Sequence, residues 1–404
     1  MEIIFAAGHL PASQGRQAGQ KVSFHFCDYL AQRHRIHLLA FAADNELVGQ
    51  THDDLRIFAS SELLPLKNSV RMAGILSAPR LPIAIAVRHS ARYRSKLQKL
   101  VREARPDVVI FDHTAMFQYV ADLAGTALTV GSSHDILTQG WQRKVAGARH
   151  PLARFLLKIE SRRMRRWETR AFAELDFIVP LSVKDKRLIE ELQPKAKAIV
   201  VDAWFTPPAC DVTAQREPGA IIFWGAMDRP ENIDAVRWAA NEILPEIRRS
   251  VPHAKLYIAG NYGEGLASEF AGREDIVITG FVQDVGALMS RMELALLPMR
   301  LGAGIKIKTL ECMAAGLPVV TTSVGEEGIG GTQGVHYWVA ETADDLARYA
   351  ILLLQSRSEA DEMGRRAREF ILESRSFSKS MNVLEHALIE AVAPRLRRVL
   401  AETS

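Results

Sequence analysis

From Glu2 to Val339, short apolar runs rich in β-branched residues alternate with longer amphipathic stretches, and this alternation constrains the fold more than any single motif. The first half predicts strands at Glu2–Ala7, Ile36–Ala42, Val108–Asp112, Ala127–Gly131, Phe177–Pro180 and Ile199–Val201. The second half predicts Ile221–Trp224, Lys255–Ala259, Ile276–Thr279, Leu294–Leu297, Val319–Thr322 and His336–Val339. Nearly continuous apolar strands separated by helices indicate parallel sheets covered on both faces. One series fills residues 1 to about 203, the other about 219 to 356. Between them stand Pro207-Pro208 and Pro218-Gly219, which continue neither a helix nor a central strand. The expected organisation is one domain over 1–205, a linker over 206–219, a second domain over 220–375 and a helical tail over 376–404. The fold class is two doubly wound α/β domains facing a cleft, with ligands beyond the carboxyl ends of the strands.

Charge narrows the function classes. The net charge of +4 on 404 residues is too small to define a nucleic-acid binder. It is uneven: from Arg71 to Arg170 there are 19 Lys and Arg against 7 Asp and Glu. A block of this kind, over 88–170, suits an anionic partner such as phosphate or a membrane surface. Its second part interleaves Arg154, Lys158, Arg162, Arg163, Arg165 and Arg166 with Leu152, Phe155, Leu156, Ile159, Met164 and Trp167, the pattern of a helix that docks on an anionic bilayer. A solvated helix face gives the same pattern. Cys27, Cys210 and Cys312 are too scattered for a metal or redox motif, and no apolar run reaches the roughly 18 residues of a membrane span. The N-terminus carries Glu2 where a signal peptide wants base, so the expected setting is cytoplasmic, with peripheral attachment to the inner membrane face.

The densest chemistry lies at Leu301-Gly302-Ala303-Gly304-Ile305-Lys306-Ile307-Lys308, continuing to Glu311 and Gly316-Leu317-Pro318. Gly302 and Gly304 allow a tight turn and a close approach of ligand to backbone N–H groups. A helix is expected from about Ile305 to Gly316, with Gly304, Lys308 and Glu311 on one face and Leu310, Met313 and Ala314 on the buried one. A lysine at a helix start favours phosphate, and a carboxylate two turns on can accept sugar hydroxyls. That combination suits a nucleotide or nucleotide sugar. The plain alternative is an ordinary α/β turn with an exposed Lys–Glu pair.

Phe223-Trp224-Gly225 ends another strand, and Arg229-Pro230-Glu231-Asn232 opens a helix, where Arg229 could clamp a diphosphate. Gly8 to Gly19 lacks the Gly-x-Gly-x-x-Gly dinucleotide fingerprint, which argues against a NAD enzyme. Of twelve histidines, His113 and His134 follow strands, where sites form. No Gly-x-Ser-x-Gly elbow supports a hydrolase reading of Ser132-Ser133-His134-Asp135.

Together these residues resemble the retaining GT-B glycosyltransferases of family 4. The likeness is carried by Gly225-Ala-Met through Asn232, by Ile278-Thr-Gly280-Phe281-Val-x-Asp284, by Leu297-Pro-Met through Gly302, Lys308, Glu311 and Gly316, and by Gly325-x-Glu327-Gly. In the first half, Gly15 and Gly19 look like the family's glycine loop and His134-Asp135 like its His-Asp after the fifth strand. The Arg166-Trp-Glu168, Asp176 and Ser182-x-x-Asp185 run also has the family's look.

The resemblance implies a nucleotide-sugar donor site in the second domain, an acceptor site in the first, and a C-terminal helix crossing back to the first. It gives Glu311 to the donor ribose, Gly280 and Phe281 to the base, Gly302 and Gly304 to the phosphates or sugar, and His134 to the reacting centre. The family's first motif glutamate is Ala303 here, and its Arg/Lys pair after the second domain's first strand is absent. Arg229, Lys306 and Lys308 are the substitutes for phosphate neutralisation. The expected activity is hexosyl transfer from a nucleoside diphosphate sugar to a lipid-linked or envelope-glycan acceptor, with no metal. His134, Lys308 and Arg229 are the expected catalytic groups. Gly15, Gly19, Gly225, Asn232, Gly280, Phe281, Gly302, Gly304, Lys306 and Glu311 are the expected donor contacts. A GT-B epimerase, a non-catalytic sugar-nucleotide-binding subunit and a membrane scaffold are the alternatives.

Overall fold

The structure is a computed structural model. It describes all residues except 16, 44–45, 47–52, 124, 149, 212–213, 262–263 and 403–404, together with the side chains of 264 and 395–402. The chain divides into two compact units, Met1–Trp204 with Phe377–Ser404, and Phe205–Ser376.

The first unit holds β1 (Glu2–Ala7), β2 (Arg35–Ala42), β3 (Ser60–Pro65), β4 (Val108–Asp112), β5 (Leu128–Ser133) and β6 (Phe177–Pro180). They form one parallel sheet in the order β3-β2-β1-β4-β5-β6. Side chains of β1 alternate between two buried faces. Ile3 and Phe5 pack with Phe26 and Leu30, while Ile4 and Ala6 pack with Tyr93, Phe117 and Phe172. The C-terminal helix Phe377–Glu402 belongs to this unit because its apolar stripe of Met381, Leu384 and Leu388 completes the first face. Glu385 of that helix fastens it, accepting from Arg33 at 2.7 and 2.9 Å and pairing with His34 at 2.8 Å.

The second unit holds β7 (Ala220–Trp224), β8 (Lys255–Ala259), β9 (Ile276–Gly280), β10 (Leu294–Leu297), β11 (Val319–Thr321) and β12 (Trp338–Val339). Their order is β12-β11-β10-β7-β8-β9, all parallel. Each sheet therefore reads as the doubly wound order, with its reversal between β1 and β4 in one unit and β7 and β10 in the other. Two doubly wound α/β units are what the strand alternation predicts.

Two strand expectations need correction. Ile199–Val201 is not a strand: only Ala198 bridges to Ile178, although Ile199 and Val201 still donate to Ile178 and Pro180 at the edge of β6. In its place the first sheet takes β3, whose Ser-Ser-Glu-Leu-Leu-Pro sequence lacks an apolar run because it lies at the sheet edge. Among the described residues no helix is long and apolar enough to cross a membrane.

Candidate active site

In the first unit, the reversal of strand order gathers side chains from three strand ends. Asp112 closes β4, fully buried. His134 follows β5, and its Nε2 lies 2.8 Å from Asp112 Oδ1. His9 follows β1 by two residues and bonds Ser23 Oγ at 3.0 Å, and the Ser23 hydroxyl lies 2.6 Å from Asp112 Oδ2. His113 occupies a positive φ of 79°, a strained position for a residue with a side chain. The three imidazoles stand 5.8 to 6.1 Å apart, ring centre to ring centre.

One carboxylate thus serves several imidazoles, and their charges diverge accordingly. Burial opposes charge on His134, but Asp112 and its hydrogen bond raise the pKa above the ordinary histidine value. Burial pulls His9 down to about 4 against the same carboxylate and holds His113 well below normal. Burial alone raises Asp112, yet His134, His9 and Ser23 together keep it below the usual carboxylate range. The arrangement is a His134–Asp112 pair in which each partner favours the charged form of the other, beside two imidazoles whose burial disfavours charge.

Gly19 belongs to this cluster. A Cβ there would stand 3.3 Å from His134 Nδ1, so the glycine keeps that nitrogen's approach open. Gly15 is placed differently: its N–H donates to Ala12, and it packs against Gln20. Behind His134, Glu168 accepts the N–H groups of Leu137 and Thr138, both at 2.8 Å, fixing the start of the helix Leu137–Gly147. Asp176 ties β5 through Thr129, and Ser182 with Asp185 caps the helix Val183–Leu192. The family-like Glu168, Asp176 and Ser182–Asp185 positions are therefore scaffold.

In the second unit, Gly225 follows β7, and the Gly302–Gly304 turn, at φ of 101° and 68°, lies beyond β10. The helix after it spans Ile307–Ala314, two residues later than the sequence suggests, with Leu310, Met313 and Ala314 buried as expected. Lys308 Nζ donates to Asn232 Oδ1, faces the Phe223 ring at 4.7 Å, and lies 2.8 Å from where a Gly225 Cβ would stand. Asn232 is buried and held by the carbonyl of Ala226 at 2.6 Å. Glu311 Oε2 accepts the indole N–H of Trp224 at 2.8 Å. Gly225, Asn232, Lys308 and Glu311 thus converge at the strand-order reversal, which a plain surface Lys–Glu pair does not explain. Burial, then Lys306, lowers the Lys308 pKa to about 7.

The remaining candidates are less clustered. Arg229 is half exposed at the start of the helix Pro230–Trp238, 3.6 Å from Glu231. Lys306 is buried, its Nζ 2.7 Å from the carbonyl oxygen of Gly304 and 3.8 Å from Glu327, so it braces the turn. Gly280 ends β9, two strands from β7, and Phe281 beyond it is 76% exposed. Among the described residues, no group of three or more His, Cys, Asp or Glu is arranged to hold a metal ion.

The basic block also divides. Arg88 turns inward to the Gly8 carbonyl at 2.8 Å, beside the histidines, and burial then Arg71 lower its pKa to about 10. Arg94, Lys96 and Lys99 pair with Asp122, Glu62 and Glu103, and Arg163 with Glu160. Of these five from the basic block, Arg88 is turned into the unit, and the other four carry local ion pairs at its surface. Arg149 lies outside the described residues.

Residues 218–356 match the family described as Glycosyl transferases group 1. A 44.6 kDa protein in the cps region of Klebsiella pneumoniae is 27% identical over 162 residues, 38% of this chain and 42% of that protein's length. The match therefore spans well under half of that curated relative. Over the whole chain, the structure is similar to Anabaena HepE solved with UDP (TM-score 0.65, 12% identity, 96% of this chain and 100% of that one). It is similar also to sucrose-phosphate synthase from Thermosynechococcus elongatus (0.68, 13%, 100% of both chains). A third likeness is to WaaG, a glycosyltransferase involved in lipopolysaccharide biosynthesis (0.62, 16%, 96% and 98%). At such low identity these likenesses establish the fold, which is GT-B. The family match is confined to residues 218–356, while the likeness in fold extends over the whole chain.

Proposed function

We propose that this chain transfers a hexosyl group from a nucleoside diphosphate sugar to a hydroxyl of a lipid-linked or envelope-glycan acceptor, with retention at the anomeric carbon. The observation that carries the reading is the convergence of Lys308, Asn232, Gly225 and Glu311 at the strand-order reversal of the matched domain. A diphosphate there meets the Lys308 ammonium and the helix start at Ile307, and its ribose hydroxyls meet Glu311. Charge builds on the diphosphate as the glycosidic bond breaks, and groups fixed in advance stabilise it without reorganising. Arg229 supplies a further cation at the neighbouring helix start. In a retaining route without a protein nucleophile, the departing diphosphate oxygen takes the acceptor proton on the face it leaves. His134, oriented by Asp112, then hydrogen-bonds the donor sugar or the transition state. The envelope-glycan acceptor is supported by the cps-region relative and by the likeness to WaaG.

The test is a thermal-shift screen with UDP, GDP, ADP and their common sugar conjugates. A ligand at 100 times its Kd stabilises the fold by about 2.7 kcal/mol. One responding base names the donor, and HepE makes UDP the first choice. Transfer to acceptor with an anomer-resolved product then tests retention. Binding without turnover favours the non-catalytic reading, and C2 epimerisation without acceptor favours the epimerase.

A further inference from the structure

A cavity of about 370 Å³ opens in the first unit away from the three strand ends. Its wall is the stretch Ser77–Leu81 on one side and Trp167, Arg170 and Ala171 of the helix Pro151–Glu174 on the other, with Phe117 and Gln118 also lining it. Arg80, Arg94 and Arg170 face it against the single carboxylate of Glu174. Arg94 is committed to Asp122 at 2.8 Å. Arg80 and Arg170 are exposed and have no ion-pair partner among the described residues. A second basic hollow, formed by Arg162, Arg165, Arg166, Thr169 and Arg170, adjoins it through Arg170. The cavity wall is fixed rather than loose: Arg163 donates to the carbonyls of Pro79 and Leu81, and Glu160 accepts the N–H of Ile83.

The surroundings say what kind of phosphate fits. Along the helix, Leu152, Phe155, Ile159, Arg166 and Arg170 fall at i, i+3, i+7, i+14 and i+18, one continuous stripe. The stripe is apolar at its N-terminal end, where Leu152, Phe155 and Leu156 are 61%, 59% and 56% exposed, and basic where it reaches the cavity. Phe155 and Arg170 are fifteen residues apart, roughly 22 Å along the axis. The helix Asn68–Ser77, which leads into the cavity wall, adds Met72 and Leu76, 54% and 74% exposed. A water-soluble phosphate needs no apolar rim. A bilayer offers acyl chains to one end of the stripe and anionic headgroups to the other.

We propose that this cavity is a binding site for the phosphate headgroup of an anionic lipid, gripped by Arg80 and Arg170, while the exposed apolar end of the helix Pro151–Glu174 enters the bilayer. The proposal deepens the lipid-linked acceptor reading by fixing where the chain meets a membrane, yet it does not depend on transfer being observed.

The experiment uses the full chain and two probes. Flotation is measured with vesicles of phosphatidylcholine, alone or mixed with phosphatidylglycerol. Titration is measured with short-chain phosphatidylglycerol below its micelle concentration, and separately with inorganic phosphate. Wild type is expected to float only with anionic vesicles and to bind the monomeric lipid. Arg80→Gln/Arg170→Gln is expected to lose about tenfold or more with both, whereas Arg35→Gln/Arg56→Gln, which removes the same charge from exposed sites of this unit, keeps both. Leu152→Ser/Phe155→Ser is expected to lose vesicle binding and keep the monomeric lipid. Equal losses in the two arginine pairs, or inorganic phosphate binding as tightly as the lipid, would overturn the proposal. Flotation can fail while nucleotide binding persists, so this result and the donor-site result stand apart.

Discussion

His134 Nε2 lies 2.8 Å from Asp112 Oδ1 although twenty-two residues separate them in sequence, because β4 and β5 are neighbours and end side by side. A charge-assisted hydrogen bond of this kind contributes about 1.5–3 kcal/mol, or about 10- to 100-fold in rate if it is needed at the transition state. Asp112→Asn is expected to lower kcat by that factor and leave nucleotide affinity unchanged. His134→Ala is expected to lower turnover by about 100-fold or more. Steady-state kinetics and nucleotide titration on the folded variants check both. A change in affinity alone would place the pair outside the reaction.

Lys308 has an ordinary pKa of 10.5, lowered in the fold to about 7, with burial as the leading cause. Between those values the unfolded chain holds a proton that the folded chain lacks, so this group's contribution to stability rises with pH across that window. A bound diphosphate restores the ammonium. Nucleotide binding at pH 8 should therefore take up close to one proton, read from calorimetry in buffers of different ionisation enthalpy. Lys308→Met should bind weakly and take up none.

Glu311 accepts the Trp224 indole N–H through Oε2, and an ionised carboxylate offers about four acceptor positions in all. Glu311→Ala is expected to weaken nucleotide binding by about tenfold or more, the scale of a lost hydrogen bond to a charged group, with kcat at saturation changed much less. Donor titration followed by saturation kinetics separates the two parameters. An unaltered Kd removes Glu311 from the donor site.

Gly225 leaves room for Lys308: a Cβ would stand 2.8 Å from its Nζ and 3.1 Å from Asn232 Nδ2, at a φ of 156°. Because the lysine end is flexible, Gly225→Ala should fold and displace the ammonium rather than collapse the unit. The expected result is a thermal shift with nucleotide that is reduced or absent, beside a melting temperature without ligand only a few degrees lower (about 1 kcal/mol).

Glu168 has its pKa raised from 4.5 to about 7, chiefly by burial, against the hydrogen bonds from Thr138 and Leu137 that lower it. Between those values the folded chain holds the extra proton. The stability this brings is complete below about 4.5 and lost as pH rises through about 7. Glu168→Gln removes the titration, so the wild-type difference in urea midpoint between pH 5 and pH 7.5 should shrink in the variant.

Much of the second unit was legible because its chemistry is local. Gly302, Gly304, Lys308 and Glu311 lie within ten residues, and helical periodicity alone puts Lys308 and Glu311 on the face opposite Leu310 and Met313. The strand alternation likewise announces two parallel sheets, since central strands must be apolar on both faces. β3 escaped that logic as an edge strand, and Ile199–Val201 imitated it without joining the sheet.

In the first unit the sequence pointed to His134, to Gly19 beside it and, as a strand-end residue, to His113. Asp112 carried a signal, a carboxylate closing an apolar strand. Ser23 carried none, since nothing in a helix interior marks the residue that will bridge a carboxylate and a histidine.

By itself, then, the sequence determined the elements, their parallel pairing and the local face of each helix, because these follow from periodicity over a few residues. The tertiary structure alone decided which strand ends meet. It set His9, Ser23 and His134 around the Asp112 carboxylate and turned Arg88 inward while leaving Arg80 and Arg170 open. Charge and contact between such distant residues depend on sheet order and on burial, and neither is written in any single stretch of the chain.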